Sequence, residues 1–150
     1  FFNAFASIAQ FSPALPLIGG GKTKFSPIYV GDVAKAIVKT LKLENSKPKI
    51  YELGGPKNYS FKELMEILLE EIKKKRFLIP IPFSVAKLQS YFLQMMPNPL
   101  LTSDQVDMLK YNNIVSGEYP TLEDLGIRGK TIQSILPKYI YRFRTGGQFG

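Results

Sequence analysis

Residues 25–55 hold two extended-looking runs with a helical pattern between them, and no other feature limits the fold as much. The first run, FSPIYV, is rich in β-branched and aromatic residues and reads as a strand, Phe25–Val30, ending at Gly31. Asp32 then stands where a helix N-cap is expected. Val33, Ala34, Ile37, Val38 and Leu41 recur at helical spacing and mark one apolar face. Glu44–Pro48 reads as a polar loop. Lys49–Leu53 reads as a second strand, closed by a turn at Gly54-Gly55-Pro56. Strand, helix, strand with short joints predicts a βαβ unit whose strands run parallel. The expected class is therefore α/β.

The flanking segments extend this reading. Phe2, Phe5, Ala6 and Ala9 follow a helical period that Ser12-Pro13 stops. Leu15–Ile18 is a short extended piece, and Gly19-Gly20-Gly21-Lys22-Thr23 a tight turn. Ser60-Phe61-Lys62-Glu63 is a capping box that opens a helix with Phe61, Leu64, Met65, Leu68 and Ile72 on one stripe. Lys73–Arg76 supplies four cations at its carboxyl end, where the helix dipole favours them and solvent is expected around them. Phe77–Pro82 is apolar but carries prolines, so it is unsuited to a central strand. A helix is expected over Ser84–Met96 with Val85, Leu88, Tyr91, Phe92 and Met95 inward, ended by Pro97-Asn98-Pro99. Thr102-Ser103-Asp104-Gln105 is a second capping box. Thr121–Leu125 reads as a helical turn, and Thr131–Leu136 as a last helix that Pro137 restarts or kinks. The expected organisation is residues 1–56 as late elements of a sheet domain and residues 57–150 as a smaller, mostly helical lobe.

Composition removes much chemistry. The 150 residues include no cysteine and no histidine. Disulfides, thiol nucleophiles, histidine-based acid/base triads and the usual zinc sites are excluded together. Net charge is +8 with pI about 9.6, which favours anionic partners. No apolar stretch reaches the roughly 18 residues a membrane span needs. The start, FFNAFASIAQF, lacks a basic n-region and is not expected to be a signal peptide. It reads as the middle of a helix, so the chain is expected to be part of something longer.

Three motif-like stretches fail as catalytic signatures. GGGKT lacks the first glycine of a phosphate loop, because Pro16 occupies that place, and a strand is expected after it. Gly54-Gly55-Pro56 holds only a fragment of the GxGxxG dinucleotide turn. Tyr29, Tyr59, Tyr91 and Tyr139 are followed four residues later by Val33, Glu63, Met95 and Phe143, so none begins a Tyr-x-x-x-Lys pair. No catalytic residue and no metal ligand is assigned. From Arg128 onward there are five cations and no acid, with Tyr139, Tyr141, Phe143 and Phe149 interleaved. Such a tail reads first as a final helix whose stems pack on the lobe, then as a surface for an acidic partner or an anionic membrane, and least as a nucleic-acid site.

FFNAFA, LPLIGGGKTKF, YVGDVAKAI and YELGGP, in that order, resemble the carboxyl-terminal half of the extended short-chain dehydrogenase/reductase superfamily. The closer resemblance is to its atypical branch, which contains the nucleotide-binding accessory subunit of respiratory complex I and bacterial relatives. The resemblance implies a Rossmann domain upstream that holds NADP or NAD, with the dinucleotide turn and any Tyr-x-x-x-Lys pair there. This chain would supply the edge of that parallel sheet and a small helical lobe that lids the site. It also implies a cytoplasmic protein, peripheral at the inner side of a respiratory membrane, with complex I subunits as partners. Sugar-nucleotide members carry Arg-Asp where Phe25-Ser26 stand here. An apolar ring cannot grip a diphosphate as a guanidinium does, so sugar-nucleotide chemistry is not expected. The alternative is an NAD(P)-dependent epimerase, dehydratase or reductase acting on another substrate. The chain alone is expected to be inactive. The resemblance and the pattern place Phe1, Phe2, Asn3, Pro16, Phe25, Pro27 and Tyr29 as candidates for touching cofactor or substrate.

Overall fold

Helix α3 (Phe61–Glu71) organises the structure, a computed structural model that describes residues 2–42, 49–93 and 102–147. Its start is fixed locally. The Ser60 hydroxyl accepts the Glu63 amide, and the Glu63 carboxylate accepts the Ser60 amide at 2.7 Å. Its stripe is buried as the period requires: Phe61, Leu64, Met65, Leu68 and Ile72 are each no more than 3% exposed. Burying each such side chain stabilises the fold by about 1.5–3 kcal/mol. Against this stripe pack Ala6 and Ala9 of α1 (Phe2–Phe11), Leu15 and Ile18 of β1 (Ala14–Ile18), and Leu136, Ile140 and Phe143 near the chain end. Phe5 meets Phe61 edge-on, with centroids 5.6 Å apart.

The expected α/β class is present, with a small parallel sheet, but its strands are not the expected ones. β1 pairs in parallel with β4 (Phe77–Ile81), in register from Ala14 opposite Phe77 to Ile18 opposite Ile81. With two strands in this sheet among the described residues, β4 is not a central strand and Pro80 is tolerated. The reading of Phe25–Val30 as a strand is corrected. Only Lys24–Phe25 forms a strand, β2, paired with β3 (Tyr59–Ser60), and α2 (Val30–Leu41) begins at Val30. The expected strand Lys49–Leu53 is likewise corrected, as residues 49–55 form no regular ladder. A strand exists only where a neighbour takes its backbone groups. Here Glu52 donates to the Pro120 carbonyl and Gly55 to that of Ser26, two isolated bonds to different segments.

Asp32 is also corrected. Tyr29 is the N-cap residue, and Asp32 lies inside the first turn, fully buried. Gly31 is not a left-handed joint. Its space is needed because a Cβ there would sit 2.4 Å from the Tyr29 ring.

Two helices carry their apolar stripes on the outside. In α2, the buried residues are Asp32 and Ala36, whereas Val30, Ile37, Val38 and Leu41 are 51–81% exposed. Ala36 packs with Leu122, Leu125 and Ile127 in a second small core. In α4 (Phe83–Leu93), Ala86 and Ser90 face inward, while Val85, Leu88 and Tyr91 are more than half exposed, opposite to expectation. Small residues let α4 sit close to α5 (Ser103–Met108), leaving the bulky ones outside. The α5 capping box forms as expected through Thr102 and Gln105. After it, α6 (Ile132–Ile135) and α7 (Pro137–Ile140) follow each other directly, so Pro137 restarts the helix. The side chain of Phe92, Phe1, Met95, the Glu44–Pro48 loop, Pro97–Pro99 and Phe149 lie outside the described residues.

Two of the four cations at the end of α3 are not left to solvent. Arg76 Nε donates to the Ala9 carbonyl at 2.9 Å, near the carboxyl end of α1, and Lys74 Nζ donates to Gln10 Oε1. Arg144 closes the far side by pairing with Glu71 and its carbonyl.

Asp107 fastens α4 to α5, accepting from Lys110 at 2.5 Å and from Lys87 at 2.8 Å. These bonds hold its carboxyl below the usual 3.8, Lys110 contributing most. A depressed folded pKa adds stability above the unfolded value, lost as pH falls through the folded one. The thermal midpoint is therefore expected to stay level from neutral pH down to about pH 5 and to fall below about pH 4. Asp107→Asn should make that acid fall shallower. An identical acid slope in the variant would refute the assignment.

Candidate functional site

The segment from β2 to α2, Phe25 to Val30, is extended but mostly unpaired, and it forms one wall of a trough. It is pinned at one point. Ser26 donates its amide to the Asn113 carbonyl at 2.9 Å, gives its hydroxyl to Asn58 Oδ1 at 2.5 Å and accepts the Val115 amide at 3.2 Å. Asn113 donates in turn to the Lys24 carbonyl at 2.8 Å. The opposite walls are the start of α1 and the α6–α7 corner.

Two adjoining cavities make up the trough, of about 510 and 440 Å³. Phe2, Asn3, Pro27, Ile28 and Tyr139 line both. Phe25 and Asn113 line only the first, Tyr29 and Lys130 only the second. Of the seven candidates, the fold thus brings together Phe2, Asn3, Phe25, Pro27 and Tyr29. Pro16 lies elsewhere, on an apolar cavity of about 340 Å³ shared with Phe5, Ile8, Ile79 and Ala86. Phe1 lies outside the described residues.

Sequence reasoning did not single out Asn113 or Lys130 for this site, and it met Tyr139 only as part of a basic tail. Lys130 is held from below: its backbone amide donates to Asp32 Oδ2 at 2.8 Å. Its ammonium lies over the Tyr29 ring, 5.0 Å from the centroid, which a cation finds attractive. Tyr139 is 37% exposed, and burial pushes its hydroxyl up from 10, so it is a neutral donor at physiological pH. Among the described residues no carboxylate lines either cavity. The arrangement can hold an apolar body, donate hydrogen bonds and place one positive charge. Its described residues include no paired acid and base.

The Gly19–Gly21 turn does not cradle a phosphate. All three residues have positive φ, a Cβ on Gly19 would strike the Phe83 ring, and the turn leads into β2 rather than a helix. Gly54 and Gly55 do not have positive φ. They are glycines because the chain passes close: a Cβ on Gly55 would lie 1.9 Å from the Pro27 carbonyl oxygen.

No protein-family model matches the chain. Among curated proteins it is similar to NADH dehydrogenase [ubiquinone] 1 alpha subcomplex subunit 9, mitochondrial, of Arabidopsis thaliana, 36% identical over 89% of this chain and 36% of the relative. It is 29% identical to the protein of that name from Mus musculus, over 97% of this chain and 39% of the relative. It is 26% identical to the NADH-ubiquinone oxidoreductase 40 kDa subunit, mitochondrial, of Neurospora crassa, over 87% of this chain and 35% of the relative. The chain spans little more than a third of the length of these relatives.

Proposed function

We propose, from the premise that this chain is a homologue of mitochondrial NADH dehydrogenase [ubiquinone] subunits, that it is the carboxyl-terminal part of an NAD(P)-binding accessory subunit of respiratory complex I. The single observation that carries this is similarity over 87–97% of the chain to three such subunits. The nucleotide, NADP or NAD, has a structural role and is held mainly by a Rossmann sheet domain formed by residues outside this chain. The trough opens beside that domain, with Phe2, Asn3, Phe25, Pro27 and Tyr29 as the side chains set to touch cofactor or substrate. Residues 1–56 complete the sheet domain, and residues 57–150 form the lobe over it.

The outward stripe of α2 supports the missing domain. A helix that turns Val30, Ile37, Val38 and Leu41 to solvent, while burying Asp32 and Ala36, needs a cover. Helices on the faces of parallel sheets have this need. The assembly sits peripherally at the inner side of a respiratory membrane, a placement that rests on the likeness to mitochondrial subunits. Among the described residues no helix is long and apolar enough to cross a membrane. Exposed Lys138 and Tyr141 in the basic tail face complex I partners or anionic lipid.

The test is purification of the tagged full-length protein in mild detergent. It is expected to travel with NADH dehydrogenase activity, and recovery alone would count against the reading. Val38→Glu with Leu41→Glu should abolish that co-migration while leaving the melting of the isolated chain nearly unchanged. A second reading, an NAD(P)-dependent epimerase, dehydratase or reductase on a substrate other than a sugar nucleotide, is favoured by the apolar lining near Phe25. A Tyr-x-x-x-Lys pair upstream and turnover of bound NAD(P) would select it.

A further inference from the structure

The trough has a chemical polarity that a structural nucleotide alone does not explain. Phe25 and Leu64 stand at one end and Phe2 and Ile28 run along both cavities; at the other end Lys130 supplies the single charged side chain lining either cavity among the described residues. That ammonium has no hydrogen-bond or carboxylate partner among the described residues, only the Tyr29 face. Its backbone is anchored, because the amide of the same residue is tied to buried Asp32, while the side chain itself is exposed. Tyr139, a neutral phenol lining both cavities, places a second donor along the route. Asn3 and Asn113 are exposed residues whose amides can keep water, so they do not oppose an apolar occupant.

We infer that this trough takes an amphiphile of the long-chain carboxylate class, its chain among Phe2, Phe25, Ile28 and Leu64 and its carboxylate on Lys130 Nζ. The volumes of about 510 and 440 Å³ fall in the range of small-molecule sites. An apolar lining with one cation selects one anionic group and disfavours a dianion or a sugar, whose remaining polar groups would be desolvated without partners. The inference rests on the proposed function only in placing the trough beside a nucleotide.

The test uses the full-length, nucleotide-loaded protein, titrated with a fluorescent long-chain carboxylate and with its uncharged methyl ester. The acid should bind about tenfold or more tightly than the ester, the value of one charge-assisted hydrogen bond. Lys130→Met should bring the acid to the level of the ester, Lys130→Arg should keep most of the preference, and neither should alter melting. Equal binding of acid and ester by the unaltered protein, or binding of neither, overturns the inference. So does displacement of the acid by free NADPH in proportion to nucleotide occupancy, since Lys130 would then serve a nucleotide phosphate. Retained nucleotide and co-migration with complex I, with no carboxylate preference, would sink this inference and leave the proposed function standing. Loss of co-migration with the preference intact would do the reverse.

Discussion

Replacing Gly55 by alanine is expected to destabilise the chain by about 3 kcal/mol, at the upper end for overpacking, and to abolish ligand binding in the trough. The added Cβ would sit 1.9 Å from the Pro27 carbonyl oxygen and 3.0 Å from its carbon. Neither atom is the end of a flexible side chain. The residue before Pro27 cannot retreat easily, because Ser26 is held by Asn113, Asn58 and Val115 on one side and accepts the Gly55 amide on the other. Strain must therefore move residues 26–28, of which Pro27 and Ile28 line both cavities. Gly54→Ala is the control. Its Cβ meets Val115 Cγ2 at 2.3 Å and Ser26 Cβ at 3.0 Å, side-chain atoms and not backbone, so the cost should be about 1–2 kcal/mol, below that of Gly55→Ala. Urea unfolding of the two variants decides the matter, and equal midpoints would show that the Pro27 carbonyl yields freely.

What was legible in the sequence was what is decided locally. Helix α3 could be read to the residue at its start, since the Ser60–Glu63 box and the 3.6-residue stripe both lie within one segment. The same holds for α1 and for the Thr102–Gln105 box. The strands were not legible, because a ladder belongs to two segments. Phe77–Ile81 became a strand only by meeting Ala14–Ile18, and Lys49–Leu53 failed to become one for want of a neighbour. Periodicity in α2 and α4 identified an apolar face and could not say which body it would face. Ala36, Ala86 and Ser90, the small residues that permit close packing, decided that instead. In the trough, Phe2, Asn3, Phe25, Pro27 and Tyr29 were reached through resemblance and then found together. Asn113 and Lys130 arrive from 89 and 98 residues along the chain from their hydrogen-bond partners Lys24 and Asp32, a distance no local pattern spans.

Asp32→Ala is expected to cost about 3 kcal/mol and to loosen the Lys130 end of the trough. The Asp32 side chain is fully buried. Its Oδ2 accepts the Lys130 amide at 2.8 Å, and its Oδ1 lies 3.3 Å from Lys35 Nζ. Alanine leaves the Lys130 amide without its acceptor, and an unmade bond to a charged group costs more than a neutral one. It also removes an acid from the first turn of α2, where the helix dipole favours one. Lys35 cannot be the cause of a large loss, because it is 59% exposed and exposed pairs contribute under about 1 kcal/mol. Lys35→Ala is thus expected to be nearly silent. Asp32→Asn should fall between the two, since an amide oxygen can still accept from Lys130. Chemical denaturation gives the ordering Ala, then Asn, then Lys35→Ala. A Lys35→Ala loss as large as that of Asp32→Ala would place the energy in the surface pair instead. The buried carboxylate bridges residues 98 apart in sequence. A Gly-Asp dipeptide that first reads as a joint between strand and helix therefore acts as the tie between α2 and the segment that positions Lys130.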